Sequence, residues 1–104
     1  MKLTIKTAAD LQAKAIERHK ASITSAVDEH VEAQARALQY NSAAHLAGYR
    51  DSTVPQWRDE AQAFIAWRDQ VWLDVLALLT QAEETGEVPT VESVIGALPE
   101  WSAP

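Results

Sequence analysis

The chain is predicted to be all-α: a long N-terminal helix packed roughly antiparallel against a second long helix, with two short helices closing the ends. Three observations carry that prediction. From Ala8 to Leu38 there is no glycine or proline, and alanine, glutamine, glutamate, lysine and arginine dominate; these residues lose least on entering a helix. From Pro55 to Ala82 apolar residues recur at helical spacing, with Trp57, Ala61, Phe64, Arg68, Val71, Val75, Leu78 and Ala82 on one stripe. Capping and turn residues gather between and after these runs, at Asn41, Ser42, Gly48, Asp51 to Pro55 and Gly86 to Thr90. Propensity, period and punctuation agree, which is what lets a sequence specify one structure.

The 104 residues make a single helical domain, of a size that buries roughly two-thirds of its extended-chain surface. Residues 1–6, MKLTIK, alternate apolar and polar with Leu3 and Ile5 on one side. No second strand follows to pair with them, so they read as an extended arm. Thr7 is the N-cap of the first helix, residues 8–38, and Asp10 favours its positive end. Leu11, Ile16, Ile23, Val27, Val31 and Leu38 recur at spacings of mostly four and seven, as on an amphipathic helix of about 30 residues and about 45 Å. Its stripe is narrow and broken by alanines, which suits close packing against another helix. Three irregular heptads do not make a coiled coil.

A short helix, residues 42–48, comes next, with Asn41 or Ser42 as its cap and Gly48 as its last residue. Tyr40, Leu46 and Tyr49 are its apolar contacts. Asp51, Ser52 and Thr53 then offer capping oxygens to the central helix, residues 55–84, and Pro55 suits its first turn. Three of the four tryptophans lie in that helix. Ile65, Trp72, Leu76 and Leu79 widen its stripe into a broad apolar face, and the expected core is Trp57, Phe64, Arg68, Val71, Trp72, Val75 and Leu79. Arg68 is a charge on an apolar stripe. It needs a partner such as Asp28 or Glu32, or it lays its stem over Trp72 and keeps its head in water. Gly86 suits a left-handed cap. Thr90 caps a last short helix, residues 90–98, Pro99 ends it, and residues 99–104 form a tail anchored by Trp101.

The formal charge is −6, with the acidic residues spread along the chain. That balance argues against nucleic acid and against anionic membrane surfaces, both of which need a basic face. The absence of cysteine removes disulfides, thiolate metal sites and cysteine nucleophiles together. No apolar run approaches the roughly 20 residues of a membrane span, and the first residues lack the apolar region of a signal peptide. A cytoplasmic location is therefore expected. His19 and His30 lie three turns apart on one helix, about 16 Å by helical rise and too far to share a metal. Asp28, Glu29, His30 and Glu32 match a ligand cluster in composition only, since no HExxH-type spacing accompanies them. No GxSxG elbow surrounds a serine, and every glycine is isolated. The reading is of a non-enzyme with no catalytic, cofactor-binding or metal-ligating residue.

What remains is contact surface. The central helix is apolar on more than half its circumference, more than one long and two short helices can cover. Self-association or a hetero-complex is expected, with Leu3, Ile5, Leu11, Ile16, Trp67 and Trp101 as the candidate partner contacts.

One further pattern bears on function. Val31, Ala35, Arg36, Tyr40, Ser42 and Ala44 are followed by Tyr49, Ser52, Thr53 and Pro55, then by Glu60, Ala61, Ala63 and Phe64. The block Ala66-Trp67-Arg68-Asp69 with Val71-Trp72 comes next, and Gly86, Pro89-Thr90-Val91-Glu92, Ile95 and Ala97-Leu98-Pro99 close the series. This stretch, from about Ala26 to Trp101, resembles a module of small bacteriophage tail proteins encoded among tail-fibre and tail-assembly genes. It covers about three-quarters of the chain, and AWRDxVW followed by PTVExxIxxLP is its most specific part. Gly48-Tyr49 stands where that family usually has cysteine-serine-tyrosine or serine-tyrosine before the central helix. The resemblance implies a non-enzymatic role by protein–protein contact, as a tail or tail-fibre component or as a tail-fibre assembly chaperone. The partner would be a phage tail or tail-fibre protein, met in the host cytoplasm during assembly or in the virion tail. The alternative is a small phage regulator that binds and inhibits a host protein. Its acidity suits nucleic-acid mimicry, but the scattered carboxylates weigh against that.

Overall fold

The computed structural model describes residues 7–104, and the arm at residues 1–6, with Leu3 and Ile5, lies outside the described residues. The chain is all-α, with helices α1 (Ala8–Ala37), α2 (Ala43–Ala47), α3 (Pro55–Thr85) and α4 (Val91–Ala97). Two are long and two are short.

Each helix end has a local cause. The Thr7 hydroxyl accepts from the Asp10 amide at 3.1 Å, and the Asp10 carboxylate accepts from the Thr7 amide at 3.4 Å, closing a capping box. At the other end of α1, Gln39 adopts φ 77°. Its N–H donates to Arg36 O at 2.9 Å, and the Tyr40 N–H donates to Ala35 O at 3.1 Å. That is a Schellman stop with glutamine where glycine is usual, so no glycine signals it in the sequence. Ser42 caps α2 by accepting from the His45 amide at 3.0 Å, and the Glu32 carboxylate of α1 accepts from the Ala43 amide at 2.9 Å. The capping oxygens expected for α3 are not used as caps. Val54 is its N-cap without a side-chain bond, and the Ser52 hydroxyl accepts from the Val54 amide at 3.1 Å, one residue before the helix. Val54 has no side-chain oxygen to offer the amides of the second and third helical residues, and Pro55, without an N–H of its own, leaves one fewer amide to satisfy. Gly86, at φ 77°, ends α3, and Thr90 caps α4 through the Ser93 amide.

α1 and α3 run antiparallel. Lys20 pairs with Glu83, the rings of His30 and Trp67 are 5.8 Å apart, and Tyr40, just past the end of α1, lines the same hollow as Glu60 of α3. Between them α1 buries Ile23, Val27, Val31 and Ala35 at four-residue spacing, and α3 buries Ala61, Phe64, Trp67, Val71 and Val75. Leu46 of α2 closes one end of this core, and Val94 with Leu98 closes its flank. Full burial of each aliphatic side chain stabilises the fold by roughly 1.5–3 kcal/mol.

The two long helices are offset. Because Lys20 already meets the last turns of α3, the first three turns of α1 run on past Gly86, and residues 8–15 are exposed. The molecule is accordingly 64 Å long against 31 and 19 Å across, with a radius of gyration of 18.1 Å, where a compact domain of about 100 residues has about 13 Å.

Burial corrects part of the expected core. Phe64, Val71 and Val75 are fully buried, while Trp72 and Leu79 pack half-buried against them. Trp57 is not core: it is 46% exposed, because α1 has already ended and the edge of Tyr49, at 5.6 Å, is the ring that meets it. Arg68 is not core either. Its guanidinium pairs with the adjacent Asp69 at 3.0 Å rather than with Asp28 or Glu32, and Glu32 is engaged at the start of α2. Leu73 and Leu76, on the outer side of α3, are 59% and 58% exposed. No helix among the described residues is long and apolar enough to cross a membrane.

Candidate functional site

The aromatic residues converge where α4 and the C-terminal tail cross α3. α4 is short, capped by Thr90 and stopped by Pro99, and it buries Val94 and Leu98 against the long helices. The tail then turns back over α3. The Trp67 indole N–H donates to Pro99 O at 2.8 Å. Trp101 meets Trp67 edge-on, with centroids 6.0 Å apart at 84°, and lies 6.2 Å from Phe64. Phe64 is 5.7 Å from Trp67, and His30 of α1 flanks the same indole from the other side. Such tilted and edge-on pairs add about 0.5–1.5 kcal/mol each beyond burial.

These rings border an open cleft of about 480 Å³, lined by His30, Gln34, Trp67, Ile95, Leu98 and Trp101 among others. Glu100 also lines the cleft, and the rest of the wall is apolar apart from the imidazole of His30 and the amide of Gln34. Neither side chain has a hydrogen-bond partner among the described residues. An aromatic wall with a few free polar groups suits a peptide segment carrying an apolar side chain.

Trp67 was expected off the main face and open to a partner; it is 8% exposed. The helical wheel of α3 could not include α4 and the tail, which cover that flank. Trp101 is half-buried beside it, so the structure brings these two candidates into one site. Leu11 and Ile16 lie elsewhere, on the projecting turns of α1, with Leu11 55% exposed and Ile16 half-buried. His30 and Leu98 were not singled out as contacts, and no local pattern marks them. Their role follows from where α1 and α4 cross.

A second aromatic group lies at the corner joining α1, α2 and α3. Tyr40 and Tyr49 are 5.6 Å apart, His45 is 5.5 Å from Tyr49, and the Trp57 ring completes the row. Burial, and then the bond to Glu60, push the Tyr40 hydroxyl up to about 12. The remaining histidine, His19, donates through Nε2 to Pro89 O at 2.7 Å and ties α1 to the linker before α4. Among the described residues no group of three or more histidine and carboxylate side chains could hold a metal ion.

Fold and cleft together define a small all-α protein with an open aromatic surface. No protein-family model, curated protein or solved structure matches the chain.

Proposed function

We propose that the chain is a non-enzymatic bacteriophage tail protein that works by protein–protein contact, as a tail or tail-fibre component or as a tail-fibre assembly factor. One observation supports this above the others. The two most specific blocks of the resemblance are 32 residues apart at their contact, yet Trp67 of the first and Pro99 of the second are hydrogen-bonded beside the cleft. A motif whose parts meet around an open aromatic surface is accounted for by what that surface holds. The open cleft, with its unpartnered imidazole and amide, is the contact for a tail or tail-fibre protein.

Mass spectrometry of purified virions, paired with affinity capture on the phage's tail-fibre protein, tests the proposal. Presence in the particle makes the chain a structural component. Absence from the particle with capture on the fibre protein makes it an assembly factor. Absence of both, with a host protein recovered, replaces this reading with that of a regulator.

A further inference from the structure

The corner where α1, α2 and α3 meet holds a space as well as packed rings. Tyr40, Tyr49 and Trp57, with His45 beside them, border an open hollow of about 380 Å³. The ring planes are steeply inclined, by 58° between Tyr40 and Tyr49 and by 74° between Tyr49 and Trp57, so they are walls and not a stack. Trp57 is 46% exposed, and its ring is open to a ligand entering the hollow.

The polar groups that complete the hollow are mostly acceptors. The Glu60 carboxylate and the amides of Gln39 and Gln56 line it, and no lysine or arginine does. Neither amide side chain has a hydrogen-bond partner among the described residues. The arginines nearest in sequence are engaged elsewhere: Arg36 pairs with Glu29, Arg50 with Asp51 at 3.4 Å and Arg58 with Asp59 at 3.2 Å. Glu60 is thus left without a basic partner among the described residues. Ring faces are electronegative and attract cations, as the carboxylate does. An apolar ligand would strip water from that carboxylate and give nothing in return.

We infer that this hollow holds an arginine side chain of a partner protein, its guanidinium forked onto Glu60 and laid against the rings of Tyr49 and Trp57. A guanidinium is planar and weakly hydrated, stacks on aromatic rings and binds a carboxylate through two parallel N–H groups. The amide oxygens of Gln39 and Gln56 can accept from the N–H groups that Glu60 leaves over. A lysine ammonium is a compact, strongly hydrated charge that gains neither the fork nor the stack. The hollow shares no residue with the cleft beside Trp67 and Trp101, so this contact and the tail-assembly role can fail separately.

Proton–nitrogen NMR spectra of the full chain, recorded at about pH 8 to stay above the ordinary imidazole range, test the inference during titration with N-acetyl-arginine amide. A single side chain on one carboxylate and an aromatic wall is expected to bind in the millimolar range. The indole N–H signal of Trp57 is expected to move in a saturable way while those of Trp67 and Trp101 stay. The citrulline analogue has nearly the same shape without the charge and is expected to move nothing. The lysine analogue is expected to bind several-fold more weakly. Glu60→Gln removes the charge under the fork and is expected to weaken binding by at least about tenfold. Trp57→Leu, followed through the backbone amides of Gln56 and Glu60, is expected to weaken it too. Circular dichroism checks that both variants are folded. The inference is overturned by the absence of a saturable shift, by an equal response to citrulline or lysine, or by unchanged affinity in a folded variant.

Discussion

The indole N–H of Trp67 donates to the carbonyl oxygen of Pro99 at 2.8 Å, across 32 residues of sequence. This bond holds the end of α4 to α3 and sets the position from which Trp101 returns over the same ring. Trp67→Phe keeps most of the apolar area and loses the donor, so it is expected to lower the unfolding free energy by about 1 kcal/mol. Trp67→Ala also opens a cavity and is expected to cost about 3–5 kcal/mol. Urea titrations of the three proteins measure both. Near-equal losses in the two variants would mean that the bond, not the packing, secures the tail.

Burial separates two aromatics of the same helix. Phe64 is fully buried and Trp57 is 46% exposed. Phe64→Ala is expected to cost about 3–5 kcal/mol, a large part of the roughly 5–15 kcal/mol of a natural domain. Trp57→Ala should stay within about 1 kcal/mol, as surface substitutions outside special features do. Thermal melts in the same buffer compare them. Equal destabilisation would place Trp57 back in the core.

Two helix stops use the same left-handed backbone with different residues. Gln39 and Gly86 both have φ 77°. A non-glycine residue in that conformation costs about 1–2 kcal/mol, so Gln39→Gly is expected to stabilise the protein by about 1 kcal/mol. For a domain of this size that raises Tm by about 4–8 °C. The reverse is expected at Gly86, where an added Cβ meets nothing within 4 Å. Gly86→Ala should therefore lose about 1 kcal/mol from backbone strain alone. Differential scanning calorimetry tests the opposite signs.

Tyr40 makes stability depend on alkaline pH. Burial, followed by the bond to Glu60, raises its hydroxyl from 10.0 to about 12. The folded chain thus holds this proton more tightly than the unfolded chain does. Its contribution is complete below about pH 10 and is lost as pH rises through about 12. Lys20, raised by its bond to Glu83, acts in the same direction. The informative comparison is therefore between the parent and Tyr40→Phe. Urea midpoints for the parent are expected to fall more steeply above pH 10 than those of the variant. Parallel curves would refute the assignment.

Much of this architecture was legible because it is local. The glycine-free run from Ala8, the capping residues Thr7, Ser42 and Thr90, the proline that opens α3 and the glycine after it act within one helical turn. Neighbouring residues suffice to read them. The apolar spacing of Phe64, Val71 and Val75 likewise named a face whose burial depends only on something packing there.

What the tertiary structure alone decided is which flank is covered, and by what. Trp57 and Phe64 share one stripe, yet the first is exposed and the second buried, because α1 stops at a left-handed Gln39 before it reaches the former. Trp67 looked like outer surface on the helical wheel and is inner wall, because α4 and the tail return over it from 32 residues away. Glu32, a candidate partner for Arg68, caps α2 instead. The offset that leaves the first turns of α1 uncovered comes from the register in which Lys20 meets Glu83. A periodic sequence specifies that a face is apolar, whereas the register and end point of its partner helix are set by long-range packing, in which many alignments share the same period.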